Sequence, residues 1–451
     1  MKSITLSLAE NIVDFPLNLI PEEVILESKR SFLNWLGVAI GASQHPSVDI
    51  VLELANEIGG FPQATILGRN VKTDMQFASL INGMSSHIFD FDDTILNTVL
   101  HPSAPVWPAI LAVAEHNNLT TKEVLEAFVI GCEVEQRIAL AICPNHYERG
   151  WHVTGTVGAF GAAAAVGKLL KLDHLQMTNA LGIAAAQPTG LREMFGTMTK
   201  PFHPGKAAAN GLLSSLLAKK GFTSSLAPLE AKRGFGQVLS ENPSFDVIIE
   251  PWGSKWQLLD NSYKPFACGI VTHPGIEAGI NLKNIHNINP ADIDEIVVEV
   301  HPLVLELTGK ETPQNQLEAK FSIYHCVAAG IIFGKASEAQ FANNIVLRED
   351  VVNLRKKIKA VINNSLMEDQ TLLHAKLKNG NAIKITIEHA VGSKEKPMTN
   401  TELEEKFIEL TSDILKGREK KLISKIWEME KSLPIQEITN FATPLNTSSY
   451  K

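Results

Sequence analysis

The sequence predicts a mainly α protein in which a smaller α+β domain is inserted into an all-helical one. Three observations predict it. Apolar residues recur at helical spacing through the first 260 residues; beyond about 266 the chain turns to alternating, β-branched runs; and after about 396 the helical spacing returns. At 451 residues the chain also exceeds what one core usually organises, since single cores stop growing near ~250–300 residues. The expected boundaries are 1–266 with 396–451 for the discontinuous helical domain, and 267–395 for the inserted one.

The elements follow in order. Residues 21–40, PEEVILESKRSFLNWLGVAI, open with Pro21 and two glutamates and then set Ile25, Phe32, Trp35, Leu36 and Ala39 at helical spacing, an amphipathic helix with its start signal. Thr73-x-x-Gln76 resembles a capping box for a helix from about 74 into Phe89. Residues 103–116, 121–142, 156–170 and 205–219 continue in the same manner, and the Gly/Ala content of GTVGAFGAAAAVGKLL predicts close helix–helix approach. Further on, IDEIVVEVHPLVLEL (293–307) reads as a strand and TLLHAKLKNGNAIKITIEHA (371–390) as a hairpin turning at NGNA. Helices are expected at 316–334 and 349–363, and again in NTELEEKFIELTSDIL after the polar loop 390–399.

Composition excludes several classes of function. A hydrophobic content of 45% with 20% charged residues is that of a globular protein, and a net charge of −8 argues against nucleic acid as a partner. No run approaches 18 apolar residues, so no membrane partner is expected, and Glu10 and Asp14 interrupt the N-terminal segment where a signal peptide would be apolar. The four cysteines, Cys132, Cys143, Cys268 and Cys326, form no C-x-x-C pair, which argues against zinc and iron–sulfur sites and for a cytoplasmic location.

SSHIFDFDDTIL (85–96) contains the D-x-D-x-T pattern of aspartyl-phosphate phosphatases. That motif belongs at the end of a buried parallel strand, whereas SLINGMSSHIF before it has helical period, and no later acidic pair stands ready for magnesium. His87, Asp90, Asp92, Asp93 and His101 could together suit a metal, but no two of them stand at i, i+4, and an acidic turn satisfied by amides and bases is the better reading; no metal is expected. HPGKAAAN (203–210) fails as a P-loop, because Lys200 stands where a glycine is required.

Bases recur beside expected helix starts. Five of the 14 histidines, His45, His101, His203, His273 and His301, precede proline, which favours the first helical position. Amides and the dipole at such ends attract anions, and His152, Lys200 and Lys264 hold similar positions among small or Pro residues. Together with His101 they would suit a di- or tricarboxylate substrate.

HIFDFDDTILNTVLHPSAPVWPAILA (87–112), RGWHVTGTVGAFGAAAAVGKLLKL (149–172), MTKPFHPGKAAANG (198–211), RGFG (233–236), YKPFACGIVTHPGIEA (263–278) and KFSIYHCVAAG (320–330) resemble, in order and across nearly the whole chain, the motifs of the MmgE/PrpD family. The resemblance implies a discontinuous helical domain with a smaller α+β lid domain, a homodimer, and a reaction on a small polycarboxylate without an organic cofactor. The family contains cis-aconitate decarboxylases, iminodisuccinate epimerases and 2-methylcitrate dehydratases. Asp90, Thr94, His101, His152, Lys200 and Lys264 match the decarboxylase positions, and Asp92 stands where the dehydratases usually carry Asn. In the last motif the decarboxylase has Tyr three residues after Ser, where this chain has His325 with Tyr324 one position earlier.

The resemblance thus implies His101, Lys264 and Asp90 as catalytic residues, and Thr94, His152, Lys200, Tyr324 and His325 as substrate-binding ones. Lys200, Lys264 and His152 would form a cationic clamp for carboxylates and His101 would be the general acid. Asp90 would accept a hydrogen bond from a base and hold it charged, and Thr94 would hydrogen-bond substrate or His101. Decarboxylation of cis-aconitate to itaconate is the leading expectation, with epimerisation of iminodisuccinate or dehydration of 2-methylcitrate as its alternative. A catalytically idle carboxylate-binding homologue is the alternative of another class.

Overall fold

The structure is a computed structural model that describes residues 3–445. The chain divides into two compact units. The first is built from residues up to Ile88, from Asp92–Asn261 and from Asn400 onward; the second joins the short stretch Phe89–Phe91 to Ser262–Thr399. Residues 446–451, which the sequence reading placed in the helical domain, lie outside the described residues.

The first unit is helical because its sequence supplies start signals and buried faces together. Glu22–Gly41 buries Phe32, Trp35 and Leu36 behind the Pro21 start. Thr121–Ile142 carries a complete capping box between Thr120 and Glu123. Met75–Ile88 is capped differently from expectation. Asp74, rather than Thr73, accepts from the amides of Gln76 and Phe77 at 2.9 and 3.1 Å, a carboxylate being the stronger acceptor at a positive helix end. The helix expected from 205 already begins at Thr199, since Pro201 falls in the first turn, where no amide needs an intrahelical acceptor.

Small residues set the spacing of these helices. A Cβ on Gly83 would lie 2.6 Å from the Gly205 Cα, so Met75–Ile88 and Thr199–Lys219 cross backbone to backbone. A Cβ on Gly211 would lie 2.5 Å from the Ala159 carbonyl, and one on Gly158 2.6 Å from Pro105, which is the close approach that the Gly/Ala run predicts. Around them Trp107 stacks on Phe128 at 3.7 Å and meets Phe32 edge-on at 4.7 Å.

The second unit packs helices on a four-stranded sheet in the order Ile358–Ile362, Ile293–Val300, Thr371–Leu377, Ala382–Ile387. The first pair is parallel, with Ile296 opposite Ile358; the other two are antiparallel, with Val298 opposite Leu373 and Leu373 opposite Ile385. These residues share the apolar face and build the core with Leu282, Val327 and Ile331. The hairpin turns as expected, with Gly380 at φ +88°.

Three expectations in this unit are corrected. The helix expected over 316–334 divides into Gln316–Ala319 and Ile323–Phe333, because Ser322 caps a fresh start between them. The strand expected over 293–307 stops at Val300, and Pro302–Thr308 is helical: the His301-Pro302 start signal and the leucines after it end the β-branched run. The helix expected over 349–363 ends at Arg355, and Ile358–Ile362 joins the sheet beside Ile293–Val300, since tertiary pairing outweighs local spacing there.

Candidate active site

Four of the five His-Pro histidines stand at helix starts. His45 and His301 cap their helices through Nδ1, His101 stands two residues before Ser103–Asn117, and His273 is the first residue of its helix. His203 is instead carried inside Thr199–Lys219, because that helix begins early. His152 is the N-cap residue of Val153–Leu169, and Lys200 lies in the first turn of Thr199–Lys219.

Within the helical unit these ends bring bases together. His87, at the close of Met75–Ile88, is fully buried and its Nδ1 donates to Asp92 Oδ2 at 2.7 Å. The ring of His101 meets that of His87 edge-on at 4.7 Å, and the ring of His152 stacks on His87 at 5.6 Å. Nδ1 of His101 lies 2.8 Å from the Asp93 carbonyl, 3.3 Å from Asp92 Oδ2 and 3.2 Å from Thr94 Oγ1. A carbonyl oxygen only accepts, so the Nδ1 proton is held there and Nε2 is left to exchange a proton. The Thr154 hydroxyl accepts from the His101 amide at 3.1 Å and ties that loop to the helix headed by His152. His152 and His203 share a hydrogen bond between their Nδ1 atoms at 3.0 Å.

Electrostatics divide the members of this cluster. Burial pushes His87 down to about 4 against the pull of Asp92, with Lys200 and His101 adding to the fall. Burial also takes His152 well below the usual histidine range, with His87 and Lys200 adding to it, and takes His203 to about 4. Near pH 7 these three rings are therefore neutral. The sequence reading counted His152 among the cations; burial makes it a neutral hydrogen-bonding group instead. For Asp92 burial acts upward, but the adjacent rings of His87 and His101 outweigh it and hold the carboxyl well below its usual range. The neighbouring Asp93 goes the other way: burial raises it to about 6, although Ser103 and Asn261 both donate to its Oδ2.

The second unit holds the other predicted residues. Asp90 sits in the turn after Ile88 at φ +52°, a conformation that Asp tolerates better than most side chains. Its backbone oxygen and its Oδ1 both accept from Lys264 Nζ, at 3.0 and 3.1 Å, with both residues buried. Fully buried Lys320 donates to the Phe89 and Ala267 carbonyls at 2.7 Å each and to Glu338 at 2.5 Å, pinning the same turn. Ser322 caps the helix Ile323–Phe333 by accepting from the His325 amide. The buried His325 ring points Nε2 at the Gln340 carbonyl, 3.0 Å away, and packs on Phe341, while Tyr324 is half-buried.

Sequence reasoning left three members of the cluster out of the site. The sequence marks His87 as a candidate metal ligand, Asp92 as a candidate metal ligand and as a departure from the dehydratases' Asn, and His203 as a helix start. The signal was present in the number of bases beside one acidic turn, but not in which carboxylate would meet which ring. The carboxylate beside His101 is Asp92, whereas Asp90 serves Lys264. His87, His101 and His152 each offer one ring nitrogen, all within 4.8 Å of one another, a grouping that could hold a metal ion and that no local spacing revealed.

Among the described residues no helix is long and apolar enough to cross a membrane. In sequence the chain is similar to enzymes that act on small carboxylates. The chain is 27% identical over 423 residues to the cis-aconitate decarboxylase of Homo sapiens, covering 90% of this chain and 87% of that protein. It is 25% identical over 424 residues to the cis-aconitate decarboxylase of Aspergillus terreus, covering 88% and 86%. Against the 2-methylcitrate dehydratase of Escherichia coli (strain K12) it is 25% identical over 415 residues, covering 85% and 83%. Residues 6–248 match the MmgE/PrpD N-terminal domain and residues 266–429 the MmgE/PrpD C-terminal domain, so the chain belongs to the MmgE/PrpD family.

Proposed function

We propose that this chain is a cofactor-free lyase that decarboxylates cis-aconitate to itaconate. The observation that carries the reading is the buried contact of His101 with Asp92, which gives a histidine acid an ionised carboxylate to lean on. Similarity to proteins named cis-aconitate decarboxylase over 80–90% of the chain supports the choice of substrate.

In this reaction the C–C bond to the carboxylate of the saturated arm breaks and CO₂ leaves. Its electron pair becomes the new terminal double bond. The former double-bond electrons move onto the vinyl carbon, where the adjacent carboxylate spreads the charge, and that carbon then takes a proton. His101 delivers the proton from Nε2, and Asp92 stabilises the imidazolium beforehand. Lys200 supplies positive charge for the retained carboxylates, with His152 as a neutral donor beside it. Lys264, held by Asp90, is the further cation that the family motif assigns to substrate.

A dehydratase reading is favoured by the 25% identity to proteins named 2-methylcitrate dehydratase, and the same acid would there protonate a leaving hydroxyl. Proton NMR of the purified protein with cis-aconitate at neutral pH separates the readings. Vinyl signals of itaconate, lost in a His101→Ala variant that keeps its melting temperature, are expected. An inert cis-aconitate alongside dehydration of 2-methylcitrate would overturn the proposal, and a folded His101→Ala variant with full turnover would remove the acid.

A further inference from the structure

We propose that His87, His101 and His152 form a binding site for a first-row transition-metal dication, with Zn²⁺ as the ion it suits, and that the bound ion blocks the reaction. The three rings come from the end of one helix, the loop before a second and the N-cap of a third, yet each offers a nitrogen within 4.8 Å of the others. Nitrogens bound to one tetrahedral zinc at about 2.0–2.1 Å stand roughly 3.3 Å apart, so small ring movements would close the set.

The hydrogen bonds of the three rings fall on one nitrogen of each. Nδ1 of His87 is engaged by Asp92, Nδ1 of His101 by the Asp93 carbonyl and Nδ1 of His152 by His203, which leaves Nε2 of each. A carboxylate on the far nitrogen of an imidazole is the arrangement that fixes the tautomer of metal-ligating histidines and raises their basicity. The His87 Nε2 atom is buried and has no hydrogen-bond partner among the described residues, an arrangement that normally signals a missing partner.

Three imidazoles select zinc, nickel or copper over magnesium and calcium, which demand oxygen. Asp92, in contact with two of the three rings, places a carboxylate beside the ion's charge. The exposed group Asp369, His389 and Glu395 is the competing candidate, but His389 is paired to Asp369 at 2.7 Å and its pKa is raised, so a proton competes with metal there. Binding does not rest on the proposed reaction; inhibition does, because the ion takes the His101 lone pair that the reaction uses.

Chelator-treated protein titrated with Co²⁺ should take up one ion per chain and show the intense visible absorption of four-coordinate cobalt, displaced by Zn²⁺. His87→Gln and Asp92→Asn should each weaken binding at least ~10-fold, as loss of a ligand or of its supporting carboxylate does. His389→Ala should leave it unchanged, and Mg²⁺ should not compete. Weak six-coordinate spectra, unchanged binding in His87→Gln, or loss of binding in His389→Ala would each overturn the site. If metal binds as described while cis-aconitate turnover is undisturbed, inhibition is wrong. If metal binds and the metal-free protein has no turnover, the proposed reaction fails while the site stands.

Discussion

Asp92 accepts from Nδ1 of His87 at 2.7 Å and lies 3.3 Å from Nδ1 of His101, so that a single buried carboxylate serves two rings. The pairing gives the acidic turn a role quite unlike a phosphoryl nucleophile: its charge is spent on orienting imidazoles.

Replacement of that charge is the first prediction. Asp92→Asn keeps the volume but removes the anion that stabilises a protonated His101, and kcat is expected to fall by about 10²-fold or more with a smaller change in KM. Loss of a hydrogen bond to a charged group should also cost about 1.5–3 kcal/mol of stability by denaturant unfolding. An Asp92→Asn enzyme with unchanged kcat would show that the carboxylate only fills space.

Acid sensitivity follows from His325. Burial takes its pKa down to about 4, against the Gln340 carbonyl that raises it and together with Arg355 that lowers it further. A histidine lowered on folding contributes stability above its unfolded pKa, and loses it as pH falls from about 6.5 through 4. The full loss is of the order of 3 kcal/mol. His325→Gln removes the titration, so its unfolding free energy should fall less steeply than wild type between pH 6.5 and 4.5. Parallel curves would contradict the buried neutral ring.

Lys320 provides a third. Its ammonium satisfies two carbonyls and Glu338, whose own carboxyl is pushed up by burial and pulled down by Lys320. Lys320→Met should destabilise the protein by about 3–5 kcal/mol, because the Phe89 and Ala267 carbonyls lose their donor and half-buried Glu338 keeps only Gln316. Adding Glu338→Gln should recover part of that loss in a double-mutant cycle, and strictly additive effects would deny the coupling.

Much of the helical unit was legible because spacing and small residues agreed: Thr121–Ile142 falls where its periodicity puts it. Legibility failed where two signals competed. At 301–308 a proline start signal met the continuation of a β-branched run, and at 356–362 helical spacing met a sheet edge that the neighbouring strand decides. The site was legible in residue types and less so in partnerships. His87 and Asp92 are five residues apart across a chain reversal at Asp90, and no periodic rule covers that interval. His152 reaches His87 from another helix, so their stacking was beyond any local pattern. His325 could be read as a change in the pocket, but its polar contact to Gln340 lies within its own unit's interior.

The crossing at Gly83 and Gly205 has a consequence for how this protein can change. His87 stands one helical turn beyond Gly83, and Lys200 and His203 stand five and two residues before Gly205. Because the two backbones meet at glycines, the spacing of the two helices beside the histidine cluster is held by peptide atoms in direct approach. Even the smallest enlargement at either glycine would pry the cluster apart while leaving every chemical group in it untouched.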